Sequence, residues 1–380
     1  MSQGWKAAGA LVLGAVLFAC GGGGGGVSAG AGSADASGVR LLNDTGVTAT
    51  AYDATGAYVT SCNAAVSGND CNTGRDATSS DNSDGKAGFS FEKLDAAGKA
   101  LSASASNWNC VRDKLTGLVW EIKTSDGGLR DLNKLYTNHG DNRSGDASEF
   151  VAAVNVAGLC GAKDWRLPVA GELLGLVDYG VSYPGPTIDV SWFPNSINSW
   201  YWSATQNAAL TTGSEGVDFF AGISGFYGRE YTHAVRLVRG SLLSEAGRYQ
   251  FSADAQEVRD SRTGLTWRRC SEGQSWVGSS CAGSAATYTH AVALLRASSL
   301  AQASGKAWRM PNIKELESIV DYSRFNPAID PAVFPSATAS LYWTSSPMAS
   351  SSLYAWTLNF MVGGVESGDR DTAYPLRLVR

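Results

Sequence analysis

The sequence predicts an α+β protein made of two tandem copies of one domain, each with two helices on an irregular, mostly antiparallel sheet. Three observations carry that prediction. The phrase KDWRLPVAGELLGLVDYG at residues 163–180 returns as KAWRMPNIKELESIVDYS at 306–323. Shorter motifs recur around it in the same order. Within each copy, turn-flanked apolar runs and period-two alternation bracket two segments of helical spacing.

The elements follow in chain order. VRDKLTGLVWE at Val111 matches VRDSRTGLTWR at Val258, and the Asp and Gly that flank the apolar run read as a turn entering a strand. A helix is expected next, over ASEFVAAVNVAG from Ala147 and over THAVALLRASSLAQA from Thr289. Pro168 and Pro311 are then expected to open a second helix, at a position where the missing N–H costs nothing. Ile313, Leu316, Ile319 and Val320 share one face of it. IDVSWFP at Ile188 matches IDPAVFP at Ile329, YWSAT at Tyr201 matches YWTSS at Tyr342, and AVRLVRG at Ala234 matches PLRLVR at Pro375. Strands are expected here, because YAWTLNF alternates Tyr354, Trp356, Leu358 and Phe360 with Ala355, Thr357 and Asn359. The repeats are thus placed at 111–240 and 258–380, with 241–257 as a linker. Residues 39–110, rich in Ala, Ser, Asp and Gly, read as a separate N-terminal region.

A chain of 380 residues accommodates two ordinary domains. Its 45 Gly and 12 Trp predict long loops with aromatic packing. A net charge of −5 argues against a nucleic-acid partner, which calls for basic surface. Charge is uneven: Lys and Arg outnumber Asp and Glu by 12 to 9 in 258–380, and are outnumbered 14 to 11 in 111–240. Two segments of opposite sign are suited to docking on each other or to binding different partners.

Residues 1–19 read as a lipoprotein signal peptide. Lys6 supplies the positive start, and the apolar run Ala7–Phe18 is too short to span a bilayer. LFAC, Leu17–Cys20, resembles the processing box of bacterial lipoproteins; cleavage there leaves Cys20 as an acylated N-terminus carrying palmitate. An ordinary secretory signal is the alternative. Residues 20–38, with six consecutive glycines at 21–26, form a tether with a mean reach of about 20–25 Å. The expected location is the cell envelope, anchored in the outer membrane. Export permits disulfides. Cys62, Cys71, Cys110, Cys160, Cys270 and Cys281 allow fifteen connectivities, of which Cys62–Cys71, Cys110–Cys160 and Cys270–Cys281 are favoured. No CxxC is present and His139, His233 and His290 stand apart, so no transition-metal site is expected.

The order Val-Arg-Asp-x-x-Thr-Gly-Leu-x-Trp, Trp-Arg-Leu/Met-Pro-x-x-x-Glu-Leu, Val-Asp-Tyr, Tyr-Trp-Ser/Thr, Arg-Leu-Val-Arg resembles the Legionella collagen-like protein C-terminal domain family, twice over. CSEGQSWVGSSC at 270–281 and the lead-in from Gly74 are similar to segments of that family. The resemblance implies C-type-lectin-like domains and an adhesive role, toward sulfated polysaccharides in the founding member. This chain has no collagen-like stalk and is acidic overall. A fainter likeness joins Trp-Arg-Leu-Pro-x-x-x-Glu and Arg-Leu-Val-Arg to the formylglycine-generating enzyme. That oxidase uses a reactive cysteine pair near its C-terminus, and here no cysteine follows Cys281.

The repeated phrase reads as a structural fastener. Trp165 and Trp308 are large apolar anchors. Arg166 and Arg309 suit stacking on aromatics or a bidentate bond to a carboxylate, with Asp178 and Asp321 as expected partners. Glu172 and Glu315 sit where a helix dipole favours an acid. The competing view makes Glu and Asp an acid–base pair in an envelope enzyme. No nucleophile elbow, zinc helix or phosphate loop is present, so no catalytic residues are assigned. A structural calcium is weighed at Asp81–Gly85 against a solvated turn; no other cofactor is expected. The ligand-binding candidates are Phe226, Tyr227, Arg229, Glu230 and Tyr231 in the first repeat. Glu366, Asp369, Arg370 and Asp371 are their counterparts in the second. Aromatics beside charges suit a sugar or protein epitope, with loop packing as the alternative. The expected function is non-catalytic, adhesin-like binding of an extracellular glycan or protein, with an enzyme or a purely structural envelope protein as the rivals.

Overall fold

The computed structural model describes residues 41–380 apart from 54, 65, 66, 79, 80 and 87. The leader, Cys20 and the tether lie outside the described residues. The rest is a mixed α/β structure of small, mostly antiparallel sheets and few helices, with two tandem domains.

In the first repeat, strand Cys110–Asp113 turns and returns as Val119–Glu121. The turn has a local cause: Asp113 accepts the N–H groups of Leu115 and Thr116, and Gly117 takes a left-handed φ of 72°. Asp260 and Gly264 repeat the arrangement between Glu257–Asp260 and Thr266–Arg268. The last strand, Val238–Arg239, pairs with Val119–Glu121; in the second repeat Val379 bridges to Trp267. Each repeat therefore closes by setting its last strand against the second strand of its opening hairpin. A three-stranded meander forms the other sheet, from Trp200–Gln206, Gly213–Asp218 and Ile223–Gly228 in one copy. Leu341–Pro347, Tyr354–Asn359 and Gly364–Asp369 form it in the other.

The first helices run over Ala147–Ala157 and His290–Ser304. The second are short, Ala170–Leu176 and Ile313–Glu317. Pro168 and Pro311 do not open them. Each prolines' helix is capped by the next residue, Val169 or Asn312, so the proline stands outside. Its carbonyl accepts the N–H of Ala204 or Ser345 and ties the helix entry to the meander.

Two boundaries differ from the sequence reading. Residues 39–110 are not a separate region, because Phe91–Leu94 joins the first repeat's sheet beside Cys110–Asp113. Residues 43–47 are buried at the junction of the two repeats: Thr45 O accepts the N–H of Tyr179, and Asn43 Nδ2 donates to Asp113 at 2.6 Å. The segment 241–257 is only partly a linker, since Tyr249–Phe251 pairs with Glu257–Asp260 as the counterpart of Phe91–Leu94. Both lead-in strands complete a sheet whose edge is otherwise unpaired.

One apolar core runs through both repeats. Leu173, Leu174, Val177, Tyr201 and Val217 share it with Ile313, Leu316, Tyr342, Trp356 and Leu358. Tyr179 meets Trp356 edge-to-face at 5.0 Å, and Ser224 Oγ accepts the N–H of Val365 at 2.9 Å. Charge does not dock the halves: among the described residues no ion pair joins 111–240 to 258–380. Apolar burial, at about 25 cal/mol per Å², outweighs what exposed charges of opposite sign supply. Each meander also covers a smaller core of its own repeat, around Trp165 and Trp202 or around Trp308 and Trp343. Disulfides join Cys62–Cys71, Cys110–Cys160 and Cys270–Cys281. No described helix is long and apolar enough to cross a membrane.

Candidate functional site

The repeated phrase forms the same clamp in both copies. Arg166 donates both guanidinium nitrogens to Glu172 at 2.7 Å, and Arg309 does the same to Glu315 at 2.6 Å. The partner is thus the glutamate of the phrase itself, not Asp178 or Asp321. Asp178 pairs with Lys86, and Asp321 with Arg324. The glutamate has a second task, because its carboxylate also accepts the N–H of the helix cap, Val169 or Asn312. The arginine backbone pairs with the C-terminal motif, Arg166 with Val238 and Arg309 with Val379. Trp165 and Trp308 are buried, and Trp165 Nε1 donates to Leu159 O. No carboxylate pair is assembled, so the phrase clips a helix to the last strand.

The ligand-binding candidates do not converge. Side chains directly opposite on a sheet share a face, so Phe226 lies with Glu215 and Tyr201 on the face toward the second repeat. Tyr227 lies on the other face. There it joins an aromatic row: Trp200 at 4.8 Å, His233 at 4.9 Å and Tyr231 at 6.4 Å. Tyr231 is 58% exposed, Glu230 is exposed beside it, and Arg229 is half-buried with its carbonyl accepting the N–H of Asn138. Burial lowers the His233 imidazole from its ordinary value. Trp200 and His233 were not among the candidates, although SWYW at 199–202 against SLYW at 340–343 carries the difference.

The second repeat uses the same end differently. Arg370 lies over the Tyr52 ring at 3.4 Å and donates to the carbonyls of Gly56 and Ser352. Tyr52 is buried, donates to Tyr354 O and meets His290 edge-to-face. The N-terminal hairpin Ala51–Tyr52/Tyr58–Val59 therefore covers this end. Glu366 accepts from Asn359, Asp369 accepts the N–H of Asp371, and Asp369 and Asp371 are exposed.

A cavity of about 390 Å³ lies where the repeats meet, lined by Asn43, Glu172, Gly175, Arg262, Lys314 and Glu317 among others. Its charged groups are committed. Lys314 Nζ donates to the carbonyls of Asp44 at 2.7 Å and Gly175 at 2.9 Å, and burial pulls its pKa down to about 8. Burial pushes Glu317 up to about 7, opposed by a hydrogen bond from Tyr322. Lys314 thus clasps the N-terminal segment and both repeats. In the turn weighed for calcium, Asp81 accepts the Ser83 N–H, and Asp84 accepts from Ser90 and Lys114.

This architecture defines a protein of two fused mixed α/β repeats, each closed by its last strand against its opening hairpin. The chain belongs to the Lcl C-terminal domain family, whose model matches it at residues 109–239 and again at 256–380. No curated protein and no solved structure matched it.

Proposed function

We propose that this chain is an adhesin-like lipoprotein of the bacterial cell envelope, anchored through acylated Cys20 and binding an extracellular glycan or protein without catalysis. Membership of the Lcl C-terminal domain family supports a surface-binding role. In each repeat, the return of the last strand to the opening hairpin supports a C-type-lectin-like design. The observation that carries the reading is the contrast between the two far ends. The first repeat presents Trp200, Tyr227, Tyr231 and His233 as a partly open row beside Arg229 and Glu230. The equivalent places in the second are Leu341, Gly368, Thr372 and Tyr374, and its Arg370 is covered by Tyr52. Aromatic faces next to charged groups suit sugar rings and protein anchors, through stacking and charge-assisted hydrogen bonds.

A glycan and protein array probed with the purified protein tests the reading. Saturable binding that falls at least tenfold in the Glu230→Ala/Tyr231→Ala double variant, at unchanged melting temperature, is expected. Binding that ignores that variant moves the site elsewhere, and no ligand at all sinks the proposal. The shared core favours one rival, a structural envelope protein whose repeats exist to be packed together.

A further inference from the structure

We propose that Asp44, Asp70 and Asp76 form a calcium site that fastens the N-terminal segment to the second repeat. The three carboxylates are buried, and one oxygen from each lies within 4.8 Å of the others. Acids cluster for many reasons, so the partners of each oxygen decide the matter. Asp44 is well bonded: one oxygen accepts the N–H groups of Arg75 and Asp76, the other those of Thr45 and of the Asn312 side chain. Asp70 is not. It is fully buried, and neither of its oxygens has a hydrogen-bond partner. The hydroxyls of Ser346 and Thr45 soften its field from nearby, but neither completes a bond to it. Asp76 is also buried, with Thr45 Oγ1 on one oxygen and nothing on Oδ1. Three buried carboxylate oxygens of this cluster thus have no hydrogen-bond donor.

Among the described residues no side-chain cation pairs with them. Arg309 spends its guanidinium on Glu315, and Lys314 directs its ammonium at two carbonyls. Burying an unpaired carboxylate costs several kcal/mol, and here three sit together. Burial and mutual repulsion push Asp70 up to about 8 and Asp76 up to about 10. A bound cation relieves both costs. The donors are all oxygens, which selects a hard ion. Ligands about 2.3–2.6 Å from one calcium stand at most roughly 5 Å apart, the spacing found here. Calcium also accepts irregular geometry and bidentate carboxylates, which an octahedral magnesium shell tolerates poorly.

The ligands come from separate places. Asp44 belongs to the buried segment at the junction, Asp70 precedes Cys71 of the Cys62–Cys71 disulfide, and Asp76 lies in the short helix Gly74–Thr78. Asn312, the helix cap of the second repeat, reaches the same centre through Asp44. An ion there holds together the four stretches that meet at this cluster.

Calorimetric titration of the EGTA-treated full chain with calcium chloride, paired with thermal melts, tests this. One calcium per chain is expected, with a dissociation constant on the order of 10⁻⁶–10⁻⁴ M, and a melting temperature raised by several degrees. Asp70→Asn is expected to abolish both responses while melting no lower than the wild type in EGTA, because it removes one of three crowded buried acids. Asp81→Asn, in the exposed turn, is expected to change neither. No binding heat and no thermal shift in the wild type overturns the proposal, whatever the variants do. So does a calcium response that survives Asp70→Asn and is lost in Asp81→Asn.

Discussion

At the scale of the residue, the arginine clamp carries the clearest prediction. Arg309→Ala leaves Glu315 half-paired in a mostly buried place, and a loss of about 2–3 kcal/mol in denaturant unfolding is expected. Arg309→Lys keeps the charge but not the fork that meets both carboxylate oxygens, so a smaller loss is expected. Equal stability of all three proteins would contradict the fastener. Glu317 makes a second, pH-dependent prediction. Its carboxyl has an ordinary value of 4.5 and is raised to about 7 in the fold. Between those values the folded state holds more protons than the unfolded one, so this group's contribution to stability falls as pH rises from 4.5 through 7. Glu317→Gln removes that fall, on the order of 2–3 kcal/mol, as unfolding curves at pH 5 and pH 8 will read. The sequence made the clamp legible only in part. A glutamate three residues into a helix announced itself, whereas the choice between it and Asp178 depended on the reach of Arg166 across one turn.

At the scale of the element, the meander of the first repeat is built around Trp200. The ring lies over Gly216 and Gly225, and a methyl group on Gly216 would stand 3.3 Å from it. The second repeat has Leu341 where Trp200 stands, with Thr357 and Glu366 in place of the glycines. Ring and glycines thus go together. Gly216→Val is expected to lower stability by about 1–3 kcal/mol and to disturb the aromatic row, while the same change at Gly225, where the contact would be 3.6 Å, costs less. Thermal melts of the two variants decide it. Alternation in YAWTLNF foretold a strand, and helical spacing foretold the helix at Ile313–Glu317, although it also took in Ile319 and Val320, which lie beyond its end. The lead-in strands Phe91–Leu94 and Tyr249–Phe251 escaped because four and three residues are too few for a period to show. The buried segment at 43–47 escaped because Asn, Asp and Thr read as solvated; only the tertiary partners Asp113, Asn312 and Lys314 bring them inside.

At the scale of the molecule, duplication was plain in the sequence while fusion was not, because no local pattern marks which apolar face meets a distant copy. A shared core makes the two repeats one unit of unfolding. A single calorimetric transition with equal van't Hoff and calorimetric enthalpies is expected, and two separable transitions would refute the fused core. Residues 258–380 expressed alone are expected to aggregate or to bind a hydrophobic dye, having lost both the lead-in strand and the apolar partner face. The closed ends of each repeat have a wider consequence. A chain whose last strand returns to its opening hairpin can gain a further copy, or lengthen a distant loop, without rethreading its sheets. The segment between Tyr136 and the cap at Asp146 has no counterpart of its length between Tyr288 and Thr289. For an engineer, that makes the far edge of the first repeat the natural place to graft a foreign peptide for display, and for evolution the place where novelty is cheapest.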